Sequence, residues 1–370
     1  MTKRVGLLMG LCILCVVVSH AAGWGQIAMF NWTDRYRPVT VPNFDQLGTL
    51  PYYVLLVIRQ LTAFAVAGLL FASGFFIAYA ARGNRATVSW TMVKVRIVNL
   101  LVPYAIWSLV CLVGDALEGI VYSPADYLER LVTGTADGGS YYFVPLLCQF
   151  YLLSPFIVRL AKTRWRLLLL AATLIQLGAF GVNYLHLSPF AARLPVTMSW
   201  LTRQWLFFSW AVYFPLGVVC GSHVESVKRQ LVRFRWGLLA LVFILGVLSI
   251  VEPEIIYRTF GKDWRFMPLT ITTALYSVAF TLCFLAFSES ALPFSRAFYK
   301  LGAKSYGIYL LHLQVMEFAA RVIRQMLPGL LAYQLVFSFI IFIIGLGVPL
   351  LFMTAVAWSP ARRYYRYLFS

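Results

Sequence analysis

The chain has 370 residues, of which 61% are apolar and only 12% are charged, and its mean hydropathy is +0.79. These values exclude an ordinary soluble protein and indicate a membrane protein, for which the bilayer is the solvent. The formal net charge of +18 is typical of a membrane protein with basic inner loops, so no nucleic-acid partner is needed to explain it.

Ten apolar segments approach the length of about 17–25 residues that a membrane-spanning helix requires. We predict them at 5–22, 52–81, 97–117, 141–160, 167–187, 204–222, 237–251, 266–288, 305–325 and 331–357. The sequence thus predicts an all-α, polytopic membrane protein in which residues 1–370 form one integral-membrane domain without a separate soluble domain.

Basic residues are distributed unevenly between the two ends of these spans. With the N-terminus assigned to the cytoplasm, the inner loops carry nearly all of the net positive charge, whereas acidic and basic residues balance in the outer loops. The positive-inside rule predicts this asymmetry for a chain with both termini in the cytoplasm. The basic inner surface also suits anionic membrane lipid or an anionic cosubstrate.

The first span has a second interpretation, as a secretory signal peptide. Lys3 and Arg4 precede an apolar run over 5–18, and small residues follow it. Cleavage there would remove His20 and leave an odd number of spans. Because the charge pattern fits ten spans, we predict that the first span is retained.

The six cysteines all fall in predicted spans. Cys12 and Cys15 form a lone C-x-x-C pair, without the second pair or the histidines that a zinc site requires. The sequence therefore predicts no metal site, no disulfide framework and no permanently bound cofactor.

Ionisable residues at membrane depth are costly and mark candidate functional sites. His20 lies near the outer end of the first span and is followed by Trp24, which suits an interfacial position. It is either a general base or an interfacial histidine bonded to a neighbouring carbonyl. Arg59 lies about two turns into the second span. It either pairs with a carboxylate or carbonyl groups of a neighbouring helix, or it binds an anion or polarises a carbonyl group.

His312 lies about halfway along the ninth span. Ser305 and Tyr309 precede it by seven and three residues and share roughly its helix face. Glu317 follows one further turn on and can pair with Arg321 at the i,i+4 spacing. The group forms either a buried polar network between helices or a second catalytic or gating site.

Lys94 and Arg96 stand at the cytoplasmic edge of the third span, and Asn99 follows Arg96 by one helical turn. The two basic residues are either positive-inside anchors or a site for the phosphate groups of a cosubstrate.

Six segments follow one another along most of the chain. They are VVVSH, IRQ with LLFASGFF, KVRIVNLLVPYAIWSL, YYFVPLLCQFYLLSPFIV, WAVYFPLGVVCG and KSYGIYLLH. Each is a plain apolar pattern by itself. Their order, spacing and topology resemble the acyltransferase 3 family of bacterial membrane O-acyltransferases, especially the branch found with poly-N-acetylglucosamine and related exopolysaccharide loci.

The resemblance implies ten helices around a pore, an acyl-CoA donor that enters from the cytoplasm, and transfer to a hydroxyl on the outer side. It also implies that His20 is the family's essential first-span histidine and that Arg96 begins its third-span Arg-x-x-Arg motif. The chain departs from the family at two positions. Met9 stands where a basic residue usually precedes the histidine by eleven positions, and Asn99 replaces the second arginine. Arg59 is the nearest alternative cation within the membrane.

We therefore predict a multi-pass O-acyltransferase of the bacterial cytoplasmic membrane that moves an acetyl or other short acyl group from acyl-CoA to a hydroxyl of a glycan or glycolipid. Lys94 and Arg96 would hold the coenzyme A phosphates. His20 would deprotonate the acceptor or relay the acyl group, and Arg59 would stabilise the oxyanion. Partners would be membrane lipid, acyl-CoA, the acceptor, and polysaccharide synthesis or export proteins.

Two interpretations of other classes stay open. A polysaccharide exporter or a flippase of lipid-linked sugar would use the same pore without covalent chemistry, although the chain shows no internal repeat of the kind that transporters often carry. An inactive sensor or assembly subunit would explain Met9 and Asn99. Aromatic residues near the outer surface form either an aromatic belt or platforms for sugar rings, namely Trp24, Trp32, Tyr36, Trp200 and Trp205.

Overall fold

A computed structural model describes residues 1–83, 85–187, 195–260, 270–287 and 294–369. Throughout these ranges the chain forms helices joined by loops and 3-10 turns, with no β-strand, so the predicted all-α fold is confirmed. The α-helices are α1 Thr2–Phe30, α2 Leu50–Thr62, α3 Phe64–Ala80, α4 Trp90–Leu117, α5 Pro124–Thr133, α6 Phe143–Thr163, α7 Trp165–Leu187, α8 Tyr213–Ser222, α9 Val224–Arg233, α10 Arg235–Phe260, α11 Ile271–Ala286, α12 Ser295–Ala303, α13 Ser305–Met326, α14 Gln334–Trp358 and α15 Tyr365–Phe369.

Eight helical segments in the described part of the chain are long and apolar enough to cross a membrane, so the multi-pass architecture is confirmed. The predicted number of ten spans is not confirmed. The span at 305–325 corresponds to α13, which has 22 residues but carries Glu317, Arg321 and Arg324. The span at 266–288 corresponds to α11, which has 16 residues, and both predicted ends lie outside the described residues. Five charged residues of the predicted topology also lie outside them: Arg193, Lys262, Asp263, Arg265 and Glu289.

The seventh span is longer than predicted, because α10 continues well past residue 251. Glu252 and Glu254, which follow the predicted end of the span, lie within the helix. In the structure Glu252 accepts a hydrogen bond from the Tyr184 hydroxyl, and Glu254 accepts one from the Tyr52 hydroxyl at 3.1 Å. Because neighbouring helices satisfy both carboxylates, the helix continues through them.

The sixth span, predicted at 204–222, is an α-helix only in α8. The preceding residues form 3-10 turns at Val196–Thr202 and Phe207–Trp210. Two glutamine side chains form hydrogen bonds with backbone groups of this segment. In a regular α-helix these groups would bond to other backbone groups of the same helix. Gln149 Nε2 donates to the Trp205 carbonyl at 2.6 Å, and Gln176 Oε1 accepts from the Val212 amide at 2.9 Å. These bonds replace helical hydrogen bonds and hold the segment in a tighter path.

The centre of the bundle is α1, which packs against α2, α3, α12, α13 and α14. Nearby, α3 crosses α8 at backbone contact distance. A Cβ at Gly74 would lie 2.2 Å from the Phe214 carbonyl oxygen, and one at Gly217 would lie 2.0 Å from that of Phe71. Only glycine allows such an approach, which is a common device for joining helices within a membrane. The crossing fixes α3 beside α1, at one wall of the site described next.

Candidate functional site

A cavity of about 440 Å³ lies where α1, α2, α3 and α13 meet the loop between α5 and α6. His20 and Arg59 both line it, as do Asp137, Trp210 and Glu317. The sequence predicted that the loop lies on the outer side of the membrane. His20, Arg59 and Glu317 are candidates from three different predicted spans, and the structure brings them together at this cavity.

The sequence predicted His20 near the outer end of the first span. In the structure it lies in the interior of α1. The helix continues from Ala21 to Phe30, which adds ~15 Å of length beyond the histidine. The residues that follow His20 include glycine, tryptophan and glutamine but no proline, so nothing in them breaks the helix. The ring is half-buried, and neither of its nitrogens has a hydrogen-bond partner among the described residues. The side chain is one of those that line the cavity.

His312 on α13 is the nearest aromatic neighbour of His20, with ring centroids 5.3 Å apart and ring planes inclined at 56°. Its side chain is fully buried. Its Nδ1 lies 2.8 Å from the carbonyl oxygen of Tyr309 and 3.1 Å from that of Ile308. Nε2 is buried without a hydrogen-bond partner among the described residues. The sequence placed the two histidines in separate candidate sites, whereas the structure joins them.

Arg59 on α2 is close enough to interact electrostatically with His20. Its Nη1 donates a hydrogen bond of 2.6 Å to the side-chain oxygen of Gln26 on α1. A Cβ at Gly23, one turn after His20, would lie 4.0 Å from that Nη1. The absence of a side chain at Gly23 thus leaves the arginine room beside the cavity. No sequence pattern marked Gln26, because an uncharged amide is common in helix interiors.

Glu317 lies at the rim of the cavity and pairs with Arg321 on the next turn of α13, with a contact of 2.5 Å. Arg321 also contacts Glu118 at 2.7 Å. The predicted i,i+4 pair is therefore confirmed. All three side chains are about half exposed, so the network is a surface feature of the cavity entrance.

Tyr309 joins α13 to the loop after α5, because its hydroxyl donates to the Ser140 carbonyl at 2.6 Å. Tyr141 adds a bond from its hydroxyl to the Leu310 carbonyl. Ser305 is buried at the first turn of α13, about two turns from His312, and does not line the cavity. Tyr309 thus positions the loop, whereas Ser305 lies apart from the histidine pair.

Asp137 organises this loop and was not a candidate from sequence. Its Oδ1 accepts backbone N–H bonds from Gly139, Ser140 and Tyr141 at 2.9–3.1 Å. Burial raises the pKa of the Asp137 carboxyl to about 6, although the three N–H donors act in the opposite direction. The D-G-G-S sequence is the signal that could have revealed it, since aspartate before glycines often bonds the following backbone.

Aromatic side chains also surround the cavity. Trp24 and Trp210 line it, and the Trp210 ring stacks on that of Tyr142 with centroids 6.2 Å apart. Trp32 lies beside Trp24 at 5.4 Å and beneath the Arg324 guanidinium at 5.0 Å. Among the aromatic residues that the sequence predicted near the outer surface, Trp24 therefore lines the cavity itself.

The two basic candidates of α4 do not line this cavity. Lys94 is exposed, and Arg96 is half-buried close to the Tyr151 hydroxyl of α6. Asn99 follows on the same helix, and Met9 faces α12, where a Cβ at Gly302 would lie 3.4 Å from the Met9 Cβ. Apolar contact with α12 thus occupies the position where the sequence comparison suggested a basic residue.

Residues 4–358 match the family profile of an acyltransferase domain, acyltransferase 3. Relatives from Staphylococcus aureus strains MRSA252, MSSA476 and MW2 are 23% identical over 241 residues, which cover 62% of this chain and 63% of each relative. Each is named a probable poly-beta-1,6-N-acetyl-D-glucosamine export protein. The chain thus spans less than two thirds of the length of these relatives, and no solved structure matches it significantly. Because the profile covers nearly the whole sequence, the chain belongs to the acyltransferase 3 family.

Proposed function

We propose that this protein transfers an acetyl or other short acyl group from cytoplasmic acyl-CoA to a hydroxyl of a glycan or glycolipid on the outer side of a bacterial cytoplasmic membrane. The observation that carries the proposal is the position of His20, whose side chain lines a cavity of about 440 Å³ together with Arg59. A base next to a guanidinium suits acyl transfer, in which a proton leaves the nucleophile while negative charge develops on a carbonyl oxygen. Family membership supports the same class of reaction.

In the proposed reaction, a ring nitrogen of His20 takes the proton of the acceptor hydroxyl as its oxygen attacks the thioester carbon. The carbonyl oxygen becomes negative, and the planar N–H donors of Arg59 stabilise it. Collapse of the adduct breaks the carbon–sulfur bond. The departing thiolate takes the proton from His20, which yields free coenzyme A and an ester. Transfer of the acyl group to the imidazole before it reaches the acceptor is a two-step form of the same chemistry.

The donor and the acceptor would approach from opposite sides. Arg96 and the exposed Lys94 offer charges for the coenzyme A phosphates at the predicted cytoplasmic end of α4. On the outer side, Trp24, Trp210 and Tyr142 line the cavity, and aromatic rings suit the apolar faces of sugars. The loop held by Asp137 would border the opening through which the acceptor enters the cavity.

A second function, export of a polysaccharide without covalent chemistry, is favoured by the names of the staphylococcal relatives. It would use the cavity as part of a path for the sugar chain. In that case the polar residues would contact the polysaccharide, and replacement of His20 would not affect any acyl transfer. The two functions are therefore separable by one measurement.

The test measures transfer of label from radioactive acetyl-CoA into lipid and polysaccharide fractions of membranes that contain the wild-type chain, His20→Ala or the control His186→Ala. The control histidine does not line the cavity. Label with wild type and His186→Ala but not with His20→Ala, at equal amounts of folded protein, is expected. Equal label with all three removes His20 from the mechanism, and no label with any of them, across several acyl-CoA donors, favours the exporter.

A further inference from the structure

The side chain of His312 has no role in the reaction as proposed, although it is the fully buried neighbour of His20. We propose that His312 is a positioning residue whose Nε2 accepts a hydrogen bond from one ring N–H of His20, so that the other nitrogen of His20 faces the cavity with its lone pair. The proposal rests on the proposed acyltransferase function for its consequence in catalysis, but the histidine pair itself can be measured independently.

The backbone of α13 determines which nitrogen of His312 carries the proton. Its Nδ1 lies within hydrogen-bond distance of the carbonyl oxygens of Tyr309 and Ile308, at 2.8 and 3.1 Å. A carbonyl oxygen only accepts, so Nδ1 is the donor. A neutral imidazole has one N–H, and Nε2 is therefore left with its lone pair and can only accept.

This acceptor needs a donor. The side chain is fully buried, and an unsatisfied buried polar atom costs about 1–3 kcal/mol. The Tyr309 ring also lies near His312, but its hydroxyl is already engaged, because it donates to the Ser140 carbonyl. His20 has a ring N–H and no hydrogen-bond partner among the described residues, and it is the residue whose ring lies next to His312.

The separation of the two rings suits this bond. A ring nitrogen lies roughly 1.1 Å from its own ring centroid, so two imidazoles joined by an N–H···N bond of about 3 Å have centroids about 5.2 Å apart. The observed separation is 5.3 Å, with ring planes inclined at 56°. This separation therefore allows an N–H of His20 to reach Nε2 of His312 when the two nitrogens face each other.

The bond would prepare His20 for its role as a base. Donation to His312 selects one tautomer of His20 and orients its ring, as a carboxylate or carbonyl does for the histidine of other catalytic and metal sites. After His20 takes the proton of the acceptor, the imidazolium still donates to His312, which stabilises its charge. His312 keeps its own Nδ1 proton throughout, so the abstracted proton passes from His20 to the coenzyme A thiolate.

Two replacements of His312 separate positioning from simple structural support. His312→Asn keeps an N–H near Nδ1 but removes the acceptor at Nε2, whereas His312→Gln places an amide oxygen close to Nε2. We expect His312→Asn to lower kcat roughly 10- to 100-fold with KM for acyl-CoA nearly unchanged, and His312→Gln to retain most of kcat. His186 donates in the same way to the Val182 carbonyl, at 2.8 Å, so His186→Asn is the matched control and should behave as wild type. Equal kcat for the two His312 variants at equal folded protein, or a loss confined to KM, would overturn the proposal.

A spectroscopic test does not depend on turnover. The chain has four histidines, so ¹⁵N signals of the full-length protein in lipid nanodiscs can be assigned by replacing each one. We expect His312 to be protonated at Nδ1 and not at Nε2, and its Nε2 signal to move in His20→Ala. Protonation at Nε2, or an Nε2 signal that His20→Ala leaves unchanged, contradicts the pair even if the protein transfers acyl groups. If acyl transfer is absent, the proposed function fails while this spectrum still decides the pairing.

Discussion

Nη1 of Arg59 on α2 donates a 2.6 Å hydrogen bond to the side-chain oxygen of Gln26 on α1. Gln26 is buried and lies six residues after His20 on the same helix. The bond therefore ties the position of the guanidinium to the helix that carries the proposed base. A lysine at this position lacks the planar fork that can hold Gln26 and present a second N–H in a defined direction.

We expect Arg59→Lys to lower kcat roughly 10²- to 10³-fold at saturating acyl-CoA, which is the usual effect of removing an oxyanion donor. The measurement is label transfer over a range of donor concentrations. Arg321→Lys is the matched control, because Arg321 forms an exposed pair with Glu317 and does not itself line the cavity, and it should turn over at nearly the wild-type rate. Full turnover in Arg59→Lys would show that Arg59 does not stabilise the oxyanion and has only the structural role of bonding Gln26.

Arg96→Ala tests the donor site. Loss of a charge-assisted hydrogen bond to a phosphate costs about 1.5–3 kcal/mol, so KM for acyl-CoA should rise at least about tenfold while kcat changes little. Arg229→Ala removes an exposed positive charge from α9, also on the predicted cytoplasmic side, and should leave KM nearly unchanged. Unaltered donor saturation in Arg96→Ala, at wild-type protein levels, would return Arg96 to a topological anchor.

Glu317→Gln should leave turnover within about twofold of wild type. Its pair with Arg321 is about half exposed, and exposed ion pairs contribute about 0–1 kcal/mol to stability. The rate of label transfer checks the expected turnover. The melting temperature of the purified protein checks the small contribution of the ion pair to stability. A loss of kcat comparable with that of His20→Ala would instead make Glu317 part of the reaction.

Asp137→Asn should change how stability depends on pH. The pKa of the folded carboxyl, about 6, lies above its ordinary value of 3.8, so between these values the folded state holds more protons than the unfolded state. Stability is therefore lost as the pH rises through this window. Asparagine stays neutral and keeps an oxygen for the three backbone N–H groups. The variant should lose less stability between about pH 4 and pH 6, with a gain at pH 7 of at most about 3 kcal/mol.

Melting temperatures in nanodiscs at stepwise pH test this expectation. Asp34→Asn replaces an exposed carboxylate in the segment that follows α1 and should reproduce the wild-type pH dependence. Parallel curves for Asp137→Asn and wild type would show that the carboxyl titrates alike in the folded and unfolded chains.

Gly217→Ala should destabilise the bundle. Its Cβ would lie 2.0 Å from the Phe71 carbonyl oxygen, so α3 and α8 would have to separate, at a cost of about 1–3 kcal/mol. Gly178→Ala is the control, because a Cβ at that position of α7 meets nothing within 4 Å. That variant should be neutral or slightly more stable, since alanine favours a helix over glycine. Equal melting temperatures for both variants would show that the crossing tolerates a side chain.

The helical membrane fold could be predicted because hydropathy and charge act over whole segments, which makes them robust to errors at single residues. The ends and the regularity of the helices were less predictable where hydrogen bonds from side chains of other helices determine them. Glu252 seemed to end the seventh span, yet Tyr184 satisfies it from α7. Gln149 and Gln176 alter the backbone of the sixth span through bonds that no local pattern in that segment reveals.

The site was predictable residue by residue but not as an arrangement. His20, Arg59 and His312 stood out singly, because a charged or titratable group at membrane depth is costly. Their association was not visible, since His20 and His312 are far apart in the chain and a single sequence has no signal for their contact. Gln26 and Asp137 were missed because one is uncharged and the other lies in a loop, where a carboxylate needs no special explanation.

The helix of the second predicted span is interrupted at Ala63, between α2 and α3. There the Ala63 amide bonds to the Gln60 carbonyl in 3-10 fashion, and the Thr62 hydroxyl bonds to the carbonyls of Ile58 and Arg59. A 3-10 turn within a long helix is a common position for a hinge. Because glycines hold α3 against α8, a change of angle at Ala63 would move α2 relative to α3. Such a change would displace Arg59, which lies about one turn before Ala63, and would act on its bond to Gln26.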